Sequence, residues 1–469
     1  MLDSRVIQLV PKASAPFEDA QRLYMEARYN QCLGALHGNE SLPAVVLAAR
    51  SLMRLAKFGD GKLDRAVEML EANRSRADVH GSDAMRGEIA MILGAAYHRL
   101  DQQDEAERAF FDARVYLWST RDTVLQGELE YYEALFAWGS RNLDAAARHA
   151  RAALNTDSQS VHSRALELLG AIAASSGNYL AQADYLDRAL SHLEKFAERD
   201  VWVEAHILYN LAILALELHL DPIVDRIGAR VATLPWTEET SVPRFEALRH
   251  VGWCNALAGK HVKAFQLLRE SAEVAPSIPW RIAALLDRSL LAREMGETLF
   301  AEDELQSAER LAADFDWAGS VGDERFTLLH LAEVSAERGP ARAERHIERY
   351  RAIKRKMSNL HAFRADVRLR AAECVAEAAV ARATGQAERA ALLLGEAFET
   401  WSSIGYARRA IECALSLYEL TGDQRFREYA DINIQRFSAS WISRRYDAMF
   451  PREEAWDQQT TAAAARPAG

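Results

Sequence analysis

The residues best suited to chemistry in this 469-residue chain stand mostly alone, and none falls in a spacing that a known reaction requires. Gly59-Asp60-Gly61-Lys62 is followed by Leu63. It lacks the five-residue approach of a phosphate-binding loop and the Ser or Thr that would hold magnesium, so it reads as a turn. There is no HExxH and no GxSxG, and Gly319-Ser320-Val321-Gly322 has the wrong spacing for a nucleophile elbow and reads as a linker. His330 with Glu333, and His346 with Glu348, place no second histidine at i+4, so no zinc site is expected. Glu128 with Glu130, and Glu302 with Glu304, read as solvated helix faces rather than acid–base pairs. Cys32, Cys254, Cys374 and Cys413 lie far apart with no CxxC, which favours reduced core thiols over a metal knuckle or a redox pair. No catalytic residue, metal or cofactor is therefore assigned, and the chain is read as a non-enzyme. Only a site assembled from several helices, which leaves no linear motif, would escape this reading.

One charge anomaly stands out. Between Arg342 and Arg370 there are ten Lys or Arg against Glu344, Glu348 and Asp366, in a chain whose net charge is −11. Arg349, Arg351, Lys354, Arg355 and Lys356 form its centre. Such a patch suits an acidic partner or a nucleic-acid backbone. The competing reading, a solvated helix with Glu–Arg pairs one turn apart, is favoured. Nucleic acid is disfavoured further because Tyr350 is nearly the only aromatic among the charges.

The elements that must carry these residues are helices. Apolar residues make up 49% and charged residues 27%, with only 11 Pro and 23 Gly; Ala, Leu, Glu and Arg dominate, a helix-forming composition. A short apolar run near the N-terminus is broken by Gln8 and ended by Pro11, too short for a secretory leader. The most apolar internal run, Leu208 to Leu218, is about half a membrane span and carries Asn210 and Glu217. A cytoplasmic protein without a membrane partner is expected.

Helical hairpins recur along the chain. In Leu93 to Ala113, Leu93, Gly94 and Tyr97 share one face of a first helix, and Asp101 to Gln103 form a turn. Ala106, Phe110 and Ala113 then make a stripe on a second helix. Small residues flanking a large one let an antiparallel pair interdigitate. A comparable stripe follows other turns, as Ala66/Leu70, Ala146/Ala150/Ala153, Ala264/Leu268/Ser271, Ala301/Leu305/Ala308 and Ala390/Leu394/Ala397. Turns at positions 61, 101, 141, 177, 219, 259, 296, 339, 385 and 422 are 36 to 46 residues apart. Residues 1–16 read as a lead-in, 17–450 as the array, and 451–469 as a disordered tail. Residues 235–243, between Pro235 and Pro243, are the most loop-like internal segment and a candidate hinge. The last pair is expected to be Ala407 to Leu420 and Gln424 to Trp441.

This pattern resembles the tetratricopeptide repeat (TPR), whose units carry Leu-Gly-x-x-Tyr, then Ala, an aromatic or Leu, and Ala at these offsets. Its long period is similar to the TPR region of MalT-like bacterial regulators, in runs such as Tyr131 to Trp138 with Leu143 to Ala146, and Ala397-Phe398 through Gly405-Tyr406-Ala407. No phosphate-binding loop precedes the array and only a short tail follows it, so no ATPase or DNA-binding role is carried over. The resemblance implies an all-α TPR-like α-solenoid of about ten antiparallel helix pairs forming a superhelix. It further implies that the first helices line a concave surface able to hold a peptide or partner helix. Carried over position by position, that surface holds His98, Arg99, Tyr131, Trp138, Arg164, Glu167, His206, Tyr209, Glu246, Arg249, Trp253, Arg293 and Arg382. The expected function is a protein- or peptide-binding scaffold or adaptor of regulatory type. The alternative is a sensor that closes around a small effector or signal peptide near residues 235–243.

Overall fold

Helix pairs dominate because each hairpin has one apolar face that only a neighbouring hairpin can hide. The computed structural model describes residues 17–56, 60–196, 199–317, 324–356, 367–437 and 441–450. The lead-in and tail proposed from sequence, residues 1–16 and 451–469, lie outside these. Among the described residues there are 23 α-helices and no strand, and none of the helices is long and apolar enough to cross a membrane. In chain order the first twelve are α1 Phe17–Met25, α2 Tyr29–Ala35, α3 Leu42–Leu55, α4 Lys62–His80, α5 Asp83–Arg99, α6 Gln103–Trp118, α7 Thr123–Gly139, α8 Leu143–Ala153, α9 Gln159–Ser175, α10 Tyr179–Leu193, α11 Val201–Glu217 and α12 Asp221–Thr233. There follow α13 Ser241–Leu257, α14 His261–Glu273, α15 Ile278–Glu294, α16 Thr298–Asp314, α17 Glu324–Ser335, α18 Pro340–Lys356, α19 Val367–Ala383, α20 Ala387–Ser403, α21 Ala407–Thr421, α22 Gln424–Asn433 and α23 Trp441–Met449.

The turns explain the repeat. Nine of the ten positions read as turns have positive φ: six are glycines, and Asp101, Arg141 and His219 adopt it at 62°, 60° and 57°. A left-handed residue just past a helix ends it and returns two amides to its last turn. The amide of Gln102 donates to Tyr97 O at 2.9 Å, Lys260 to Asn255 O at 2.8 Å and Gln386 to Ala381 O at 2.8 Å. Gly339 is the exception; the next helix starts directly at Pro340, whose missing N–H costs nothing there.

Two compact units divide the chain. One comprises residues 1–176, 184–207 and 234–240, the other residues 177–183, 208–233 and 241–469. In the first, α5 packs on α6 around Ala106, Phe110 and Ala113, all at most 4% exposed. A Cβ on Gly94 would stand 2.7 Å from the Phe110 ring, so this glycine permits the close approach. The stacked rings of His162 on α9 and His192 on α10 lie 4.1 Å apart. In the second unit the same stripes are buried, with Ala264, Leu268, Ser271, Leu305 and Ala308 at 0%. The TPR-like register read from the sequence is the register of the fold. Ala106→Leu should therefore overpack α5 against α6 and cost about 1–3 kcal/mol. Glu107→Leu, on the exposed face, should stay within about 0.5 kcal/mol; urea unfolding followed by circular dichroism separates the two.

Some boundaries differ from expectation. The irregular stretch shortens to residues 235–237, followed by a 3-10 turn Glu238–Thr240, and α13 begins at Ser241, with Pro243 accommodated in its first turn. Within the first unit, Thr237 Oγ1 donates to Ala27 O at 3.1 Å and the Asn30 side-chain amide donates to Glu239 at 3.3 Å. The last pair is not one long second helix. It breaks into α22, a 3-10 turn Ile434–Phe437 and α23, because Phe437 folds inward onto His219 at 4.6 Å.

Candidate ligand cavity

In the second unit the first helices of successive hairpins converge on an interior cavity of about 390 Å3. From α13 come Glu246, Arg249, His250 and Trp253; from α15, Asp287; from α17, Phe326, His330 and Glu333. From α21 come Arg408, Arg409 and Glu412, while Glu217 enters from the end of α11 and Trp401 from α20. The spacing i, i+3, i+4, i+7 puts the α13 set on one helix face, and i, i+4, i+7 does the same for α17. These faces are charged where a core would be apolar.

Most of the charges are paired. Arg249 clamps Asp287 through Nε and, at 3.3 Å, through Nη2, and reaches Glu246 at 3.4 Å. His250 Nδ1 lies 3.1 Å from the same glutamate. Arg408 donates to Glu217 at 2.7 Å and to Glu412 at 3.2 Å, and Arg409 stands 3.6 Å from Glu412. Burial works against the charge on Asp287 and Glu217, but Arg249 and Arg408 outweigh it and hold both below the usual carboxylate range.

Two residues on α17 are different. No side-chain hydrogen bond or ion pair joins Glu333 to another described residue, and burial raises its carboxyl above the usual range. One turn earlier, burial pushes the His330 imidazole down to about 3, so it is neutral across the physiological range. Four buried atoms on the cavity-lining side chains also lack partners: Glu217 Oε2, Arg408 Nε, the indole Nε1 of Trp401 and the Tyr406 hydroxyl. Unsatisfied polar groups at this depth cost free energy unless something occupies them.

The first unit has its own interior polar cluster. Arg50 donates to Glu128 at 3.1 and 2.5 Å and to Glu88 at 2.9 Å. Arg164 lies over the Tyr131 ring at 4.0 Å, and Arg54 over Trp202 at 3.9 Å, against which His206 stacks at 3.7 Å. Burial pushes Glu167 up to about 7. Glu128, read from sequence as solvated, is instead a half-buried member of this cluster paired with Arg50, and Glu304 is likewise held by Arg288 at 2.9 Å.

The structure gathers part of the expected binding set. Tyr131, Arg164, Glu167 and His206 lie in the first cluster, and Glu246, Arg249 and Trp253 line the cavity. Tyr209 is half-buried on α11. Others have different duties. Arg99 donates to Met53 O at 2.5 Å and Ala56 O at 3.3 Å, closing the end of α3. His98 packs edge-on against Phe136. Trp138, 37% exposed, donates to Ser175 Oγ at 2.9 Å. Arg293 and Arg382 are exposed and do not line the cavity, and Arg382 reaches Glu419 at 3.5 Å.

The basic stretch is largely neutralised by its own neighbours. Arg351 pairs with Glu348, Glu373 and Glu377, Lys354 with Glu373 at 2.7 Å, and Arg349 donates to Ala312 O at 3.0 Å. Arg355 is exposed, and the Lys356 side chain and residues 357–366 lie outside the described residues. Among the described residues one group, Glu130, Glu133 and His149, has ligand-type atoms within 4.8 Å of one another. Arg114 already donates to Glu133 at 2.5 Å and His149 bonds Glu130 at 2.7 Å, so the geometry is met by internal pairing.

Missed from sequence were Asp287, Arg408, Glu412, Glu217 and Trp401. Two of them carry a signal, a charge at an apolar run: Asp287 follows Ala283-Ala284-Leu285-Leu286, and Glu217 lies near the end of the most apolar run of the chain.

Acid should weaken the fold through its buried histidines. His346 on α18 is 4% exposed with both ring nitrogens unpartnered, and burial lowers it to about 4, with Arg349 and Arg345 adding to the effect. The unfolded chain therefore binds its proton near pH 6.5 while the folded chain refuses it until about pH 4. Stability from this residue is complete above pH 6.5 and falls by up to about 1.4 kcal/mol per pH unit on acidification. His346→Leu, which loses no side-chain hydrogen bond, should narrow the difference between urea midpoints at pH 7.5 and pH 5.

No protein-family model matches the chain, and no curated protein matches it. Solved structures similar to it include a Rap protein complexed with competence and sporulation factor, at 12% identity and TM-score 0.43, covering 87% of this chain and 99% of that one. Aspartyl phosphate phosphatase F from Bacillus subtilis is 14% identical with a TM-score of 0.40 over 83% of this chain and 95% of its own. The human IFIT1 dimer with m7Gppp-AAAA is 14% identical with a TM-score of 0.41 over 90% and 95%.

Proposed function

We propose that this chain is a non-catalytic peptide-binding regulator that receives its ligand in the interior cavity of the second unit. The cavity itself carries the reading. At about 390 Å3 it falls in the size range of ligand pockets, which run from about 300 to 1,000 Å3 and combine apolar walls with a few placed polar groups. Trp253, Trp280, Trp401 and Phe326 supply the walls, and the charged faces of α13, α15, α17 and α21 supply the polar groups. A peptide suits a site of alternating carboxylates, guanidiniums and aromatic rings, because its backbone and side chains offer all the complementary groups. The long-period resemblance to MalT-like regulators favours a sensing role over a static scaffold. The test is thermal unfolding in the presence of pooled pentapeptide amides. At least one pool should raise the melting temperature by about 2 °C or more. A folded protein indifferent to every pool would reject the reading.

A further inference from the structure

One carboxylate of the cavity has no ion-pair partner among the described residues. Six carboxylates line the cavity, Glu217, Glu246, Asp287, Glu294, Glu333 and Glu412. Five of those carboxylates are met by an arginine of the chain, Glu294 through Arg444 at 3.2 Å and the others as described above. Glu333 is left over. Arg409 and Arg408 influence it electrostatically but engage Glu412 and Glu217.

A carboxylate that is half-buried in a cavity without a counter-ion is disfavoured, and the cost is recovered when a cation arrives. The surroundings favour one. Glu217, whose Oε2 is buried without a partner, also lines the cavity, and so does Trp253. Aromatic rings attract ammonium and guanidinium groups, more strongly when water is excluded. His330, one turn from Glu333, carries no competing charge.

We infer that the cavity is selective for a ligand bearing a cationic group, a primary amine or a guanidinium, which pairs with Glu333 beside the aromatic wall. The inference rests on the cavity being a ligand site, but it does not require the ligand to be a peptide.

Fluorescence anisotropy with labelled pentapeptide amides tests it, using one pool fixed with Lys or Arg, one with Asp or Glu and one neutral. Spermidine, as an unlabelled competitor and as a ligand in calorimetry, provides the non-peptide arm. The cationic pool should bind at least tenfold more tightly than the acidic pool. Glu333→Gln, which keeps the shape and removes the charge, should abolish that preference, whereas Glu399→Gln on the exposed face of α20 should preserve it. Melting curves establish that both variants fold. Glu333→Lys gives a second readout, because an internal ammonium should occupy the place of the ligand's cation and block binding.

Binding of spermidine but of no peptide, lost in Glu333→Gln, would uphold the cationic selectivity and reject the peptide reading. Equal binding of all three pools, or undiminished cation preference in Glu333→Gln, would overturn the selectivity and leave the peptide reading standing. No binding by any probe would overturn both.

Discussion

Arg408→Ala should lower the unfolding free energy by about 3–5 kcal/mol, the cost of leaving a buried charge without its partner. Arg408 is 7% exposed and is the hydrogen-bonded counter-ion of Glu217, itself 8% exposed. With the guanidinium gone, Glu217 must stay ionised in a dry setting or take up a proton. Arg382→Ala is the comparison, since Arg382 faces solvent and its contact with Glu419 is loose at 3.5 Å. There the expected change is about 0–1 kcal/mol. A double replacement, Glu217→Leu with Arg408→Met, removes both charges and should recover most of the loss. Urea titrations of the four proteins decide this. Equal midpoints for Arg408→Ala and Arg382→Ala would mean that the interior pair carries no special weight.

Phe245→Ala should be comparably damaging, at about 3–5 kcal/mol. The side chain is fully buried at 0%, and its ring centroid lies 5.4 Å from that of Trp280, within a small cluster completed by Ala283 and Ala284. Alanine leaves a void that small neighbours cannot close. Trp280 also lines the cavity, so the wall should loosen and peptide affinity should fall together with stability. Trp118 is as large but 85% exposed, and Trp118→Ala should stay within about 0.5 kcal/mol. Calorimetric melting temperatures of the two variants provide the check.

The fold was legible because it is local. A turn, a small-large-small stripe and a first helix with Gly at the contact lie within one stretch of about 40 residues, and packing partners are neighbours in sequence. Even the turn positions held by Asp101, Arg141 and His219 were found without a glycine to mark them, because the spacing of the flanking stripes fixes where the chain must reverse. The cavity was harder to read. Glu217 meets Arg408 across 191 residues, and Arg249 meets Asp287 across 38. Such pairs leave no motif, since the partners lie on different helices well apart in sequence. Glu246, Arg249 and Trp253, placed from sequence on the inward face of a first helix, line the cavity. Arg293 and Arg382 were assigned by the same rule and miss the cavity, both near the ends of their helices, where the face turns outward to solvent.

The four cysteines, all buried and unpaired, turn the chain into its own stopwatch. Burial, reinforced by nearby carboxylates, pushes the Cys374 thiol up to about 11 and raises Cys413 further. Neither offers an appreciable thiolate at neutral pH. A thiol reagent can reach them only when the local structure opens, so its labelling rate counts those openings. Cys413 lines the cavity and Cys374 does not. Comparing their two clocks, with and without an occupant, reads ligand-induced closure separately from the breathing of the helices around it.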